Sequence, residues 1–510
     1  MKLSLFVNIL LLLLFFGTCI KQVEATEQPN VLVFLVDDMG LMDSSLPFLT
    51  DEQGEPERYP LNDFYHTPNM ERLAKQGIRF SNFYAMSVCS PTRISIMTGQ
   101  TSARHHTTAW IRPELNNAGE FGAQEWQWEG VTPKHVMLPE LLKKKGYQTI
   151  HCGKGHFGAL DTYGEEPLNF GFDINIGGCA IGAPGSYYGT ENFGKGIRRR
   201  IHRAVPGLDQ YHGEEIYLTE ALTREVNAAI EDSVKADKPF FAYMAHYAVH
   251  GPFQPDPRFV DKYQDAESKS LAAFASMIEG MDKSLGDILA KLDQLGVAEN
   301  TLVFFLGDNG TDAPIGPEHA ISCAAPLRGK KGTHYEGGMR VPFISAWAKP
   351  AKDNPHQQQL PIVQGEIIDQ VGTVNDLFPT ILALVDRKVP KKVTIDGMDL
   401  SEYLTGKATT STEREFLMHF PHDHRSSYFT TFRKGDWKLI YHYRWSEEDD
   451  WQQHELFNLA EDPTESNNLA SSHSEKLQQM MEAMINSLEQ AGAQYPLADD
   501  KTTSLKPSLP

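Results

Sequence analysis

Asn30-Val31-Leu32-Val33-Phe34-Leu35-Val36 is apolar after its first residue and ends abruptly on Asp37-Asp38. A continuous apolar run of this length, closed by polar residues, reads as a strand buried on both faces, as inside a parallel sheet. Three further runs share the plan: residues 147–152, 239–245 and 301–306. Each leads into a polar cluster, Lys154 with His156, His246 with His250, and Asp308-Asn309 respectively. Amphipathic helical periodicity fills residues 70–76, 138–145, 214–235 and 272–295, the last stopped by Gly296. Alternating strands and helices indicate an α/β fold with a large, mixed but mostly parallel sheet sandwiched by helices. Ligands bind such sheets beyond the carboxyl ends of the strands, so the four polar clusters should converge.

The 510 residues are more than one compact unit usually holds, and the formal net charge is −20. That charge disfavours a nucleic-acid binder and requires any anionic substrate to be drawn in by locally concentrated positive charge. Met1-Lys2 followed by an almost wholly apolar run over residues 3–16 reads as a secretory signal too short to span a bilayer. Cleavage after Val23-Glu24-Ala25 makes residues 1–25 the signal peptide and places the mature protein in the periplasm or the medium. Cys19 follows Phe16-Gly17-Thr18, a poor lipidation box, so lipoprotein anchoring is the less favoured reading. No later segment is apolar for long enough to cross a membrane. The mature chain keeps Cys89, Cys152, Cys179 and Cys323, too few for a disulfide scaffold. One disulfide among the last three, or three thiols, are equally admissible.

Cys89-Ser90-Pro91-Thr92-Arg93 runs straight into Ile94-Ser95-Ile96-Met97-Thr98-Gly99. Pro91 suits the first turn of a helix, which puts residue 89 at a helix N-terminus and Arg93 one turn further on. The segment resembles the signature of the type I sulfatases of the alkaline-phosphatase superfamily, and the chain as a whole is similar to bacterial carbohydrate sulfatases. That resemblance implies that a formylglycine-generating maturation enzyme oxidises Cys89, and that the hydrated aldehyde is the nucleophile of a sulfuric ester hydrolase. Asp37, Asp38, Asp308 and Asn309 supply hard oxygen donors of the kind Ca²⁺ or Mg²⁺ takes, and no Cys/His cluster at zinc spacing competes. By resemblance these four residues hold one Ca²⁺, with modified Cys89 completing the shell.

Gly153-Lys154-Gly155-His156 resembles the family's Lys-x-His element. It implies that Lys154 neutralises a sulfate and His156 hydrogen-bonds the hydrate, while Gly155 leaves open space beside them. His250-Gly251-Pro252 matches the segment that supplies the general acid, which makes His250 that acid; His246 is as readily structural. Arg93 is placed to reach the hydrate or the residue 89 backbone. Leu327-Arg328-Gly329-Lys330-Lys331-Gly332, followed by Tyr335-Glu336-Gly337-Gly338, is the second long match, and it implies a sulfate-binding role for Lys331. His334 lies in the same segment, within reach of a neighbouring sugar.

The resemblance divides the chain into a catalytic domain over residues 26–390 and a smaller α+β subdomain over 391–494. Short strands over 428–434, 437–443 and 455–458 and a helix over 474–491 build that subdomain on an antiparallel sheet, with a flexible tail over 495–510. A Gly-rich insertion, residues 177–207, carries the most basic run, Lys195 to Arg203, a candidate grip for further sulfates. Tyr187, Tyr188 and Tyr211 either stack on sugars or pack internally. These features favour a sulfated oligo- or polysaccharide as substrate partner, first a marine galactan such as carrageenan. A glycosaminoglycan or aryl sulfate is the alternative, as is a phosphoester or phosphonate for a hydrolase of the same superfamily. A non-catalytic sulfoglycan binder would account for the basic insertion but not for the Cys89 segment.

Overall fold

The computed structural model describes residues 28–408, 413–446 and 451–510. The export signal and Cys19 lie outside the described residues. Eight strands form the main sheet: β1 (Asn30–Val36), β2 (Gly77–Tyr84), β3 (Gln148–Gly153), β4 (Ile174–Ile176), β5 (Phe240–Ala245), β6 (Thr301–Gly307), β7 (Phe343–Trp347) and β8 (Ile367–Thr373), in the order β4-β3-β5-β1-β6-β7-β2-β8. Only β7 runs against its neighbours; the other pairings are parallel. The fold is therefore the mixed, mostly parallel α/β sheet expected.

Alternation along β1 feeds two cores. Leu32, Phe34 and Val36 pack with Leu222, Val226, Ile278 and Leu285 of the helices Leu218–Lys235 and Lys269–Gln294. Val31, Val33 and Leu35 face the other way, into a core shared with Ile94, Met97, Leu138 and Ile381 from helices Cys89–Thr98, Leu138–Lys143 and Leu377–Leu384. All six apolar side chains of β1 are fully buried. At about 1.5–3 kcal/mol each, this strand alone contributes on the order of 10 kcal/mol of burial. The pairings Leu35 with Ala245 and Leu306, and Gly153 with Ala245, bring the carboxyl ends of β1, β3, β5 and β6 level with one another.

The second sheet is antiparallel: β9 (Glu415–Asp423), β10 (Ser427–Lys434), β11 (Trp437–His442) and β12 (His454–Asn458), ordered β12-β11-β10-β9. Phe432, Leu439 and Leu456 on one face pack against Leu477, Met481, Met484 and Leu488 of helix Ser474–Ala491. Phe416, Met418, Phe420, Phe429 and Ile440 on the other face join the core of the main sheet. The two sheets thus share apolar packing instead of meeting across a polar cleft.

Over residues 495–505 the Leu497 N–H donates to the Phe121 carbonyl at 2.7 Å, Arg444 pairs with Asp499 at 2.7 Å, and Lys501 pairs with Glu120 at 2.7 Å. The cysteines Cys152, Cys179 and Cys323 are all free thiols. Cys152 donates to the Leu222 carbonyl, and Cys323 to that of Gly329. No helix among the described residues is long and apolar enough to cross a membrane.

Candidate active site

Helix Cys89–Thr98 begins at residue 89, after Val88 in extended conformation, and ends at Gly99, whose φ of 70° makes the left-handed C-cap. All ten of its residues are buried. Its entry is pinned from outside the helix axis: the Met86 N–H donates to Thr92 Oγ1 at 2.9 Å, and the Ile111 N–H donates to Ser90 Oγ at 3.1 Å. Residue 89 therefore sits on a rigid element, with the partial positive charge of the helix N-terminus behind it.

Beneath it the strand ends converge as expected. Asp37, Asp38 and Asp308 are each fully buried, and they present carboxylate oxygens within 4.8 Å of one another. Arg93 donates to Asp308 Oδ2 through Nε at 3.0 Å and Nη2 at 2.7 Å, and through Nη1 to the Lys154 carbonyl at 2.8 Å. It binds the cluster and not residue 89. Lys154, expected to face a sulfate, instead donates to both oxygens of Asp37, at 2.9 and 2.7 Å, and is fully buried. Lys331 pairs with Asp38 Oδ1 at 2.6 Å and reaches the cavity wall. Burial pushes Asp37 up to about 6 against the pull of Lys154, and burial together with Asp37 pushes Asp308 up to about 6. Burial acts the same way on Asp38, but Lys331 and His250 outweigh it and hold that carboxyl low.

The donor set suits a hard dication. Asn309 donates through Nδ2 to Asp38 Oδ1 at 2.9 Å, which turns its Oδ1 the other way. Asn309 Oδ1 and Asp38 Oδ2 are both buried without a hydrogen-bond partner among the described residues. Three clustered carboxylates, one with an orphaned oxygen, and the orphaned amide oxygen of Asn309 are what an oxygen-coordinated Ca²⁺ would satisfy.

His156 Nε2 lies 2.7 Å from the Ile111 carbonyl, so the proton resides on Nε2 and the lone pair of Nδ1 faces Cys89 Sγ at 3.3 Å. Burial, then Lys154, keeps this ring neutral. His250 Nδ1 contacts the Gly251 carbonyl at 2.8 Å, which leaves Nε2 toward the cavity, 3.7 Å from Asp38 Oδ2. Burial and the repulsion of Lys331 push it down to about 3. Cys89, His156, His250 and Lys331 line one cavity of about 510 Å³.

Several expected contacts are not made. His334 is fully buried, bonded through Nδ1 to Ser426 Oγ, and absent from the cavity wall. Gly332, with φ of 82°, reverses the chain between Lys331 and His334, so the two side chains leave the loop in different directions. His246 is structural, bonded to Ser284 Oγ at 2.9 Å. Gly155 does not open the channel: a Cβ there would lie 2.9 Å from the Cys179 carbonyl oxygen. Tyr187 donates to the Tyr247 and His250 carbonyls, Tyr188 to Pro255 and Tyr211 to Glu225, and none of the three lines the cavity. Of the basic run, His202 and Arg203 do reach the cavity. Trp110, Arg112, His424 and Arg425 line it as well, and no motif singled them out. His424 and Arg425 come from the β9–β10 connection, so the small subdomain completes the pocket.

The sulfatase family profile matches residues 29–387, and that of the C-terminal region of N-sulphoglucosamine sulphohydrolase matches 330–494. The chain belongs to the sulfatase family. It is 31% identical over 385 residues to mouse N-acetylgalactosamine-6-sulfatase, covering 74% of this chain and 66% of that protein. A sulfatase of Formosa agariphila is 28% identical over 501 residues, covering 88% and 85%. The crystal structure of Ps i-CgsB superposes with a TM-score of 0.69 at 24% identity over 91% of this chain and 93% of its own; the same protein is also known in complex with k-i-k-neocarrahexaose.

Proposed function

We propose that this protein hydrolyses sulfate esters of a carbohydrate, with residue 89 as the site of attack. The observation that carries the reading is the position of Cys89: at a helix N-terminus, 3.3 Å from the lone-pair nitrogen of His156, in a cavity that Lys331 also lines. As formylglycine, residue 89 would supply a hydrated aldehyde as nucleophile; Asp37, Asp38, Asp308 and Asn309 would hold a Ca²⁺, which would supply Lewis acidity beside that hydrate and the sulfate. The protein's own groups do the rest. His156 Nδ1 accepts a proton at residue 89. Lys331 offers its ammonium to the sulfate oxygens, and Arg93 holds Asp308 in place. His250 faces the cavity through Nε2, from which a proton reaches the departing oxygen. Burial and then the Lys331 charge disfavour a proton on His250, and the negative charge of a bound sulfate acts in the opposite direction.

The basic residues Arg112, Arg203 and Arg425 around the cavity support a polyanionic sugar as substrate. A sulfated galactan such as carrageenan is the first candidate, and the fold likeness to Ps i-CgsB is consistent with it. A glycosaminoglycan bearing N-acetylgalactosamine 6-sulfate is the second, favoured by the name of the mouse relative. We place the enzyme in the periplasm or the medium on the strength of the signal over residues 1–25, with domains at 26–390 and 391–494. Cys89→Ala, made alongside wild-type protein co-expressed with a formylglycine-generating enzyme, should bind sulfated oligosaccharide and release no sulfate. Turnover by that variant would overturn the reading. Matched sulfate and phosphate esters, assayed together, exclude a phosphohydrolase if sulfate is preferred.

A further inference from the structure

We propose that His334, His442 and Glu455 form a zinc site that clasps the C-terminal sheet to the loop carrying Lys331. Their ligand atoms lie within 4.8 Å of one another, and the residues are 0%, 0% and 5% exposed. His442 ends β11, Glu455 lies on the adjacent β12, and His334 comes from the catalytic domain. Among the described residues, His334 Nε2, both ring nitrogens of His442 and Glu455 Oε2 are buried without a hydrogen-bond partner. Leaving such atoms unsatisfied is costly unless something else binds them.

The surroundings orient these groups toward a common point. His334 Nδ1 is engaged by Ser426 Oγ, which commits Nε2 inward, 3.9 Å from Glu455 Oε2. Tyr335, next to His334 in the chain, packs its ring against the His334 ring at 4.0 Å and so limits how that imidazole can turn. Trp451 stacks on the His442 ring at 5.4 Å, and the His319 ring lies 5.6 Å from His334, giving a wall of aromatic groups. Burial keeps His442 down at about 3 and His334 well below its ordinary range, so both rings are in the neutral form that binds metal.

Two imidazoles and one carboxylate are the donor set of zinc and not of calcium, which takes oxygen. Tetrahedral bonds near 2.0–2.1 Å hold ligand atoms about 3.4 Å apart, so closure by about 1 Å completes the site, with water in the fourth position. No linear zinc motif exists because the three ligands are brought together by the fold. The consequence reaches the nucleophile: the Gly332 N–H donates to the Ser87 carbonyl at 2.8 Å, tying the clasped loop to the chain just before Cys89.

The test uses full-length protein purified with excess Ca²⁺ and no chelator. Elemental analysis should find one zinc per chain, and exchange with Co²⁺ should give the intense visible bands of a four-coordinate nitrogen and oxygen site. Glu455→Gln, with a native circular-dichroism spectrum, should weaken zinc binding by about tenfold or more and alter those bands, with calcium content unchanged. Wild-type protein that retains no zinc and shows no cobalt bands, or a Glu455→Gln variant identical to it in both, overturns the proposal.

Discussion

Lys438→Met should destabilise the protein strongly and in a pH-dependent way. Lys438 on β11 is fully buried between two carboxylates, 3.0 Å from Glu336 and 2.6 Å from Glu465. Glu336 retains the Tyr84 hydroxyl at 2.6 Å, Arg340 at 3.6 Å and Arg433 at 4.0 Å once the ammonium is gone. Glu465 is left facing the Glu336 N–H, which donates to it at 2.7 Å, and the Glu336 carboxylate. Breaking one side of a buried ion pair costs about 3–5 kcal/mol, and methionine fills the space without a cavity term. With Glu336 still compensated, a loss of about 3 kcal/mol is expected at pH 8. Burial already pushes Glu465 up, with Lys438 opposing; removing the lysine raises it further. A carboxyl raised in the folded state gives its full stability at low pH and loses it as pH rises, so the deficit should shrink toward pH 5. Urea unfolding followed by tryptophan fluorescence at both pH values measures it. Lys438→Met with Glu465→Leu should recover at least half of the loss. A deficit below about 1 kcal/mol, or one equal at the two pH values, would refute the account.

Gly155→Ala drives a methyl group against the Cys179 backbone and displaces His156, whose own N–H is bonded to that carbonyl at 2.9 Å; kcat should fall about tenfold or more with KM little changed. Arg425 pairs with Asp312 at 2.5 Å and with Glu318 at 3.6 Å. Arg425→Ala bares both carboxylates to an anionic substrate, so KM should rise about tenfold in steady-state assays while kcat holds. Asp282 accepts N–H groups from Asn69 and Met70, yet burial pushes it up to about 6. Its contribution to stability, about 3 kcal/mol, is present below about pH 4 and lost as pH rises through 6; Asp282→Asn should flatten that part of the thermal-unfolding profile.

The strands β1, β3, β5 and β6 were legible because double burial writes an uninterrupted apolar run, and the residue types after each run announced the acidic cluster. β2, with Arg79, Ser81 and Asn82 in its course, and β9, with Pro421 and two histidines, carry no such run, because contacts made across the two sheets set their surroundings. The motif segments placed Asp37, Asp38, Asp308, Asn309, Cys89, His156, His250 and Lys331 in one locality, where the structure also has them. Direction was not legible. Nothing local says that Gly332 turns Lys331 toward the cavity and His334 away, or that Gly155 is glycine for want of room. Arg425 and the trio His334, His442 and Glu455 depend on chain segments far apart in sequence, and no spacing rule connects them.

The complete burial of helix Cys89–Thr98 sets a clock on biosynthesis. Cys89 is 2% exposed, Arg93 is not exposed at all, and the chain just before residue 89 is held by the N–H of Gly332, from much later in the chain. If residue 89 is converted to formylglycine as proposed, the enzyme that reads residues 89–93 must meet them as unfolded polypeptide, between their emergence and the arrival of the second lysine segment. Chains that fold first are locked as thiols and cannot be repaired without unfolding. On that proposal the specific activity of a preparation would record the outcome of a race between modification and folding, and slowing folding should raise it.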